Sequence, residues 1–398
     1  MTSARALRLL ALVLAASGLA ACAAGTAATA PASTPATATA YPAPDGMIEP
    51  YAQARALGKG VNFGNLLDAS PDEGAWTGGQ RIQPTDFDQA RAAGFDSVRL
   101  PVRFSAHAAT TAPYTIDPAF LARVDEVVRW GLSRELKVVL VFHHYEEIHK
   151  DPAAHRERFL AIWRQLAAHY EDQPCGLYYE LLNEPSQQLT VPRWNALLAE
   201  ALRAIREVDR HHTVVVGCTD WSNPGGLEGL ELPAAETNAI VTFHYYTPHL
   251  FTFQGKAWMG PNWRTTGITW PGPPATPVAP ADGVEPWVKD WIQRYNTLPA
   301  AHNPAGEAWV RDELARAAAW GKAHGRPLWM SEFTAQDGAA LESRARWLAF
   351  VRTELERLGI PWSMWSLNSD ASSRLYDPAA RRWNEALTRA LGLSVTNG

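Results

Sequence analysis

From Gly58 onward the chain alternates short apolar runs with longer amphipathic stretches, and this alternation restricts its fold more than any other feature. Such a pattern predicts parallel strands joined by crossover helices. Strands are expected near residues 58–64, 97–101, 137–142, 176–182, 213–217, 239–243, 327–330 and 361–365. Helical spacing places helices near 85–93, 118–134, 153–170, 191–208, 309–324, 341–358 and 383–391. Eight strands alternating with helices is the count of an α/β (β/α)8 TIM barrel, whose functional groups sit at the carboxyl ends of the strands. Residues 247–306, rich in Pro, Gly and Trp, read as a long irregular insertion after strand six.

The amino terminus reads as an export signal, with Arg5 and Arg8 ahead of a short apolar run over 9–16. That run is too short for a comfortable membrane span. Leu19-Ala20-Ala21-Cys22 resembles the lipobox of bacterial lipoproteins, in which the Cys becomes lipid-modified. An ordinary secretory signal cut near the same small residues is the alternative. Residues 1–21 are therefore expected to be removed, and 22–44, almost entirely Ala, Thr, Pro, Ser and Gly, to form a tether. The folded part is then 45–398, exported and held at the cell envelope through Cys22, with the outer membrane favoured by analogy. A monomer is expected. The net charge of -5 shows no basic excess and argues against a nucleic-acid partner. Of the three Cys, Cys175 and Cys218 fall at opposite ends of neighbouring strands, out of disulfide reach.

The expected strand ends carry chemistry. The fourth run, Gly176 to Pro185, stops at Asn183-Glu184-Pro185, and the seventh ends in Ser331-Glu332-Phe333. Two carboxyl groups facing each other across a barrel mouth can cleave a glycosidic bond, one as acid and one as nucleophile. Arg99, in an otherwise apolar second strand, is the natural cation to keep Glu332 ionised, with Tyr246 adding a hydrogen bond. Glu184, lacking such a cation, is expected to stay protonated. Arg99 is also open to a structural ion pair with another core carboxylate, and Trp365 to simple filling of the barrel.

These strings, in this order, resemble glycoside hydrolase family 5, the cellulase A family, from Gly60-Val61-Asn62-Phe63-Gly64-Asn65 to Trp365. The resemblance implies Glu184 as acid/base, Glu332 as nucleophile and Asn183 as the partner of a sugar 2-hydroxyl. It places Arg99 and Tyr246 around the nucleophile, His244 near the acid/base, and Trp365 beneath the cleaved sugar. His143 and His144 match a substrate-side pair. Asn65 and Asp68 match a first-loop sugar contact in which the family often has Glu instead of Asp, and Trp258 matches a loop Trp brought to the substrate.

His143-His144 with Glu146, Glu147 and His149 could also be read as a metal cluster, but the His-Glu-x-x-His spacing is absent and adjacent strand histidines point to opposite faces. No metal or organic cofactor is required by the scheme. Among the 17 Trp, those of the insertion, Trp258, Trp263 and Trp270, are candidates for a sugar groove. The activity expected is that of a retaining endo-β-1,4-glucanase on a β-linked polysaccharide. Mannan, xyloglucan or mixed-linkage glucan as substrate is the first alternative, and a non-catalytic glycan-binding surface lipoprotein the second.

Overall fold

The computed structural model describes residues 49–395 and 397. The expected signal, Cys22 and the expected tether lie outside the described residues. Eight strands close into an all-parallel barrel in sequential order: β1 Lys59–Asn62, β2 Ser97–Val102, β3 Lys137–Phe142, β4 Leu177–Glu180, β5 Thr213–Gly217, β6 Ala239–Tyr245, β7 Leu328–Phe333 and β8 Trp362–Met364. The strands are short and, apart from Lys59 and Lys137 at the starts of β1 and β3, buried, as strands covered on both faces must be. Among the described residues no helix is long and apolar enough to cross a membrane.

The helices, in chain order, are α1 Pro50–Leu57, α2 Pro84–Ala93, α3 Pro118–Leu132, α4 Glu146–Lys150, α5 Pro152–Tyr170, α6 Val191–Arg206, α7 His249–Thr252, α8 Pro286–Thr297, α9 Glu307–His324, α10 Leu341–Leu358 and α11 Glu385–Ala390. Pro opens α2, α3, α5 and α8, where its missing N–H costs nothing. Left-handed Gly325 and Gly359 stop α9 and α10. Helix α1, ahead of the expected fold, closes the end of the barrel where the strands begin. Its Ala54 and Leu57 join Val139, Tyr178, Val215 and Ile240 in the core, and the Tyr178 hydroxyl donates to Gln53.

Between β5 and β6, where the sequence predicts no helix, the crossover carries only a 3-10 turn, Pro224–Gly229, so the helix ring is thinner there. One expectation of the fold is corrected. Residues 247–306 are not irregular throughout, since α7, three 3-10 turns and α8 lie within them. Cys175 is exposed, Cys218 is buried, and both are free.

Strand β7 contains one extra residue. Met330 pairs with Phe243 and Trp362, but Glu332 pairs with His244, and Phe333 with Met364, so both neighbours register an insertion around Ser331. A bulge bends a strand and re-aims the side chains beyond it. Ser331 is held by the Asn62 amide donating to its carbonyl and by the Thr242 hydroxyl. Glu332 thus sits on a bulge braced from two other strands.

Candidate active site

Arg99 lies on β2 with no exposed surface, so its charge must be answered inside the protein. All five of its N–H groups are satisfied. Nε and Nη2 donate to Glu180 at 2.8 and 2.6 Å, Nη1 to Asn62 at 3.0 Å and to Glu332 at 2.5 Å, and Nη2 to Asn183 at 2.7 Å. Glu180 and Asn62 were not foreseen. They fix the guanidinium in one plane, which then serves Glu332 and Asn183 from a set direction. Because the Asn183 carbonyl oxygen is taken by Arg99, its amide nitrogen is left to donate outward.

Glu332 accepts from Arg99 on one oxygen and from the Tyr246 hydroxyl, at 2.8 Å, on the other. Burial alone would raise its pKa, but His244, Arg99 and Tyr246 outweigh that and hold it below the ordinary glutamate value. Glu184 is pushed the other way, since burial exceeds the help it receives from His244. The expectation that Glu184 lacks a cationic partner is corrected: His244 Nδ1 lies 2.8 Å from Glu184 and 3.6 Å from Glu332, between the two. Burial lowers the imidazole's own pKa, and the two glutamates more than reverse it. An oxygen of Glu184, an oxygen of Glu332 and a His244 nitrogen all fall within 4.8 Å of one another.

Beside this centre His143 stacks on Trp365, ring centroids 5.7 Å apart. Gly64 is required here, because a Cβ would lie 2.1 Å from the Trp365 ring. His143 and His144 do not point to opposite faces. They follow the end of β3, where alternation no longer applies, and meet edge to face at 4.6 Å. Burial keeps both rings neutral, His144 with a pKa of about 4 and His143 well below its usual value. His144 Nε2 approaches Asp68 Oδ2 at 3.7 Å, and burial raises the Asp68 carboxyl to about 7. Asp68 Oδ2 and His143 Nδ1 are buried without a hydrogen-bond partner, as groups awaiting a ligand's hydroxyls would be. Asn65 is left-handed, φ 62°, and its backbone turns toward Asp68.

Trp258 is 58% exposed and packs on Phe253, which packs on Tyr246. Trp263 and Trp270, expected to line a groove, are buried and serve packing. Two exposed indoles at the strand ends went unassigned in the sequence. Trp76 stands edge-on to His144 at 5.4 Å, and Trp221 is tied to Pro185 through its backbone N–H. Trp221 lies in a run of three left-handed residues, Asp220 to Ser222, whose Ser222 hydroxyl donates to the Asn183 carbonyl while its own carbonyl accepts from His244 N–H. Strain concentrated in this way is common where side chains must be aimed.

Residues 56–371 match the model of the cellulase family, glycosyl hydrolase family 5. Endoglucanase H of Acetivibrio thermocellus is 29% identical over 86% of this chain, and Endoglucanase 3 of Fibrobacter succinogenes 27% identical over 79%. The chain spans 34% and 50% of the lengths of those two relatives. Cel5A of Thermotoga maritima, solved with mannotriose and with cellobiose, superimposes with a TM-score of 0.75 at 38% identity, covering 86% of this chain and 99% of that one. The matched span takes in every barrel strand and both glutamates, and the chain belongs to the cellulase family, glycosyl hydrolase family 5.

Proposed function

We propose that the protein is a retaining endo-β-1,4-glucanase. The observation that carries this reading is the pair of glutamates within 4.8 Å, one driven toward ionisation and the other toward protonation. Retention needs carboxyl groups about 5 to 5.5 Å apart, whereas inversion needs about 6.5 to 9.5 Å to admit a water. A Glu332 oxygen attacks the anomeric carbon as the bond to the leaving oxygen breaks, and Glu184 gives that oxygen its proton. Glu184 then takes a proton from water, whose oxygen displaces Glu332 from the same carbon. Asn183 donates to the neighbouring sugar hydroxyl, and Trp365 lies beneath the ring. Trp76 on the His144 side and Trp258 on the Tyr246 side flank the centre, which favours internal cleavage of a chain.

A panel of cellulose derivative, mixed-linkage glucan, xyloglucan and mannan tests the substrate. Turnover is expected to be fastest on a β-1,4-glucan, and no turnover of any β-glucan would reject the reading. Mannan is the second reading, because Cel5A was solved with mannotriose as well as with cellobiose.

The pH dependence of kcat/KM should be bell-shaped, with an acid limb below the ordinary glutamate value from Glu332 and an alkaline limb above it from Glu184. His244 lowers the pKa of both groups, so His244→Asn should move both limbs to higher pH. A downward move of either limb contradicts this assignment.

We further propose that the chain is exported and anchored by lipid at Cys22, supported by the lipobox-like string before it. Fatty-acid labelling in cells should vanish in Cys22→Ser, and persistent labelling would reject the anchor.

A further inference from the structure

The barrel chemistry uses nothing from α8, yet this helix carries two Trp on one side. Trp287 is 45% exposed and Trp291 partly exposed, and four residues bring them one turn apart, about 6 Å along the axis. Val288, Ile292 and Tyr295, on the adjoining face, anchor the helix in the protein. Both indoles are braced from behind. Trp287 meets the buried Trp263 edge to face at 6.1 Å, and its Nε1 donates to Glu285 at 3.0 Å. Trp291 stacks on Tyr295 at 5.3 Å, and the Tyr295 hydroxyl is locked to Thr269.

Rings held in this way lose little entropy when a ligand arrives, and an exposed flat apolar face suits the C–H face of a pyranose. The polar groups around them balance: Glu285 and Asp290 against Lys289 and Arg294, with Asp290 and Arg294 paired at 3.0 Å. A rim with no charge excess suits a neutral, hydroxyl-rich ligand better than a polyanion. The platform belongs to the same insertion that presents Trp258, and the Trp263 carbonyl accepts from Gly255 N–H at the base of the Trp258 turn.

We infer that Trp287 and Trp291 form an auxiliary binding surface for a neutral β-linked polysaccharide chain, outside the catalytic centre. This rests on the reading of the enzyme as a β-glycanase only for the identity of the sugar. A surface of this kind holds polymer near the cleft and leaves the bond-breaking step untouched.

The test compares the wild type, Trp287→Ala, Trp287→Ala/Trp291→Ala and Trp287→Tyr, all in the full chain. Two readouts are needed: retardation in native gels containing soluble polysaccharide, and kinetics on polymer and on an aryl cellobioside too short to reach both sites. The Ala variants should lose most of the retardation and raise KM on polymer several-fold, with kcat and aryl-cellobioside kinetics unchanged. Trp287→Tyr, which restores a ring, should recover part of both. Equal retardation in all four proteins overturns the inference, as does equal loss on the short substrate or a wild-type dimer that the Ala variants dissolve. Because gel retardation is independent of turnover and can be run with mannan as well as glucan, an error in the proposed substrate and an error about this surface give different patterns.

Discussion

Glu332→Ala is expected to lower kcat by about 10⁴-fold or more, the scale on which removal of a nucleophile from a cooperating site is felt. The fold should survive, because Arg99 keeps its bidentate partner Glu180 when Glu332 is gone. Azide should restore turnover. With the carboxylate absent, azide enters the emptied space opposite the leaving group, and a single displacement gives the α-glycosyl azide. In Glu184→Ala the covalent glycosyl intermediate still forms on substrates with a good leaving group, and azide then attacks it to give the β product. Finding the two azides exchanged would reverse the assigned roles. If Glu332→Ala instead kept wild-type activity, the proposed chemistry would be wrong altogether.

Arg99→Met is expected to be the most destabilising single change at the site, by roughly 3 to 5 kcal/mol, the usual cost of breaking a fully buried ion pair. The substitution takes from Glu180 the guanidinium that donates to both of its oxygens and leaves the carboxylate buried without that cation. Thermal unfolding should show a lower midpoint. Adding Glu180→Met should return part of the lost stability, since two apolar chains of similar size replace two desolvated charges. Activity should stay low in the double variant, because Glu332 still lacks its guanidinium. A double variant no more stable than Arg99→Met alone would show that Glu180 is not the group whose charge Arg99 answers.

This ion pair also marks how far the sequence could be read. Arg99 stood out as a cation among apolar residues, and its service to Glu332 followed from the chemistry. Glu180 did not stand out, because it closes an aromatic strand just ahead of Asn183 and Glu184 and looked like part of that tip. Its partner is 81 residues away on a strand that is not its neighbour, with β3 between them. Only barrel closure brings the interior faces of β2 and β4 together. The histidine pair was misjudged for a related reason: the alternation of side chains holds within a strand, and β3 ends at Phe142. The aromatic residues of the insertion were sorted only by packing, which buries Trp263 and Trp270 and leaves Trp258 and Trp287 in solvent. The extra residue in β7 has no sequence signature, since Met330-Ser331-Glu332 reads like any strand end.

By itself, the sequence determined the eight-strand order, most helix limits and the two glutamates. Those rest on local physics: apolar runs, helical spacing, Pro at helix starts, Gly at helix stops, and short strings at strand ends. Folding added the groups that hold the charge states of those glutamates, Glu180 and Asn62 around Arg99 and His244 between the glutamates, and settled which indoles face solvent. Those depend on burial and on charges distant in the chain but a few ångströms apart in space, and no local pattern encodes such distances.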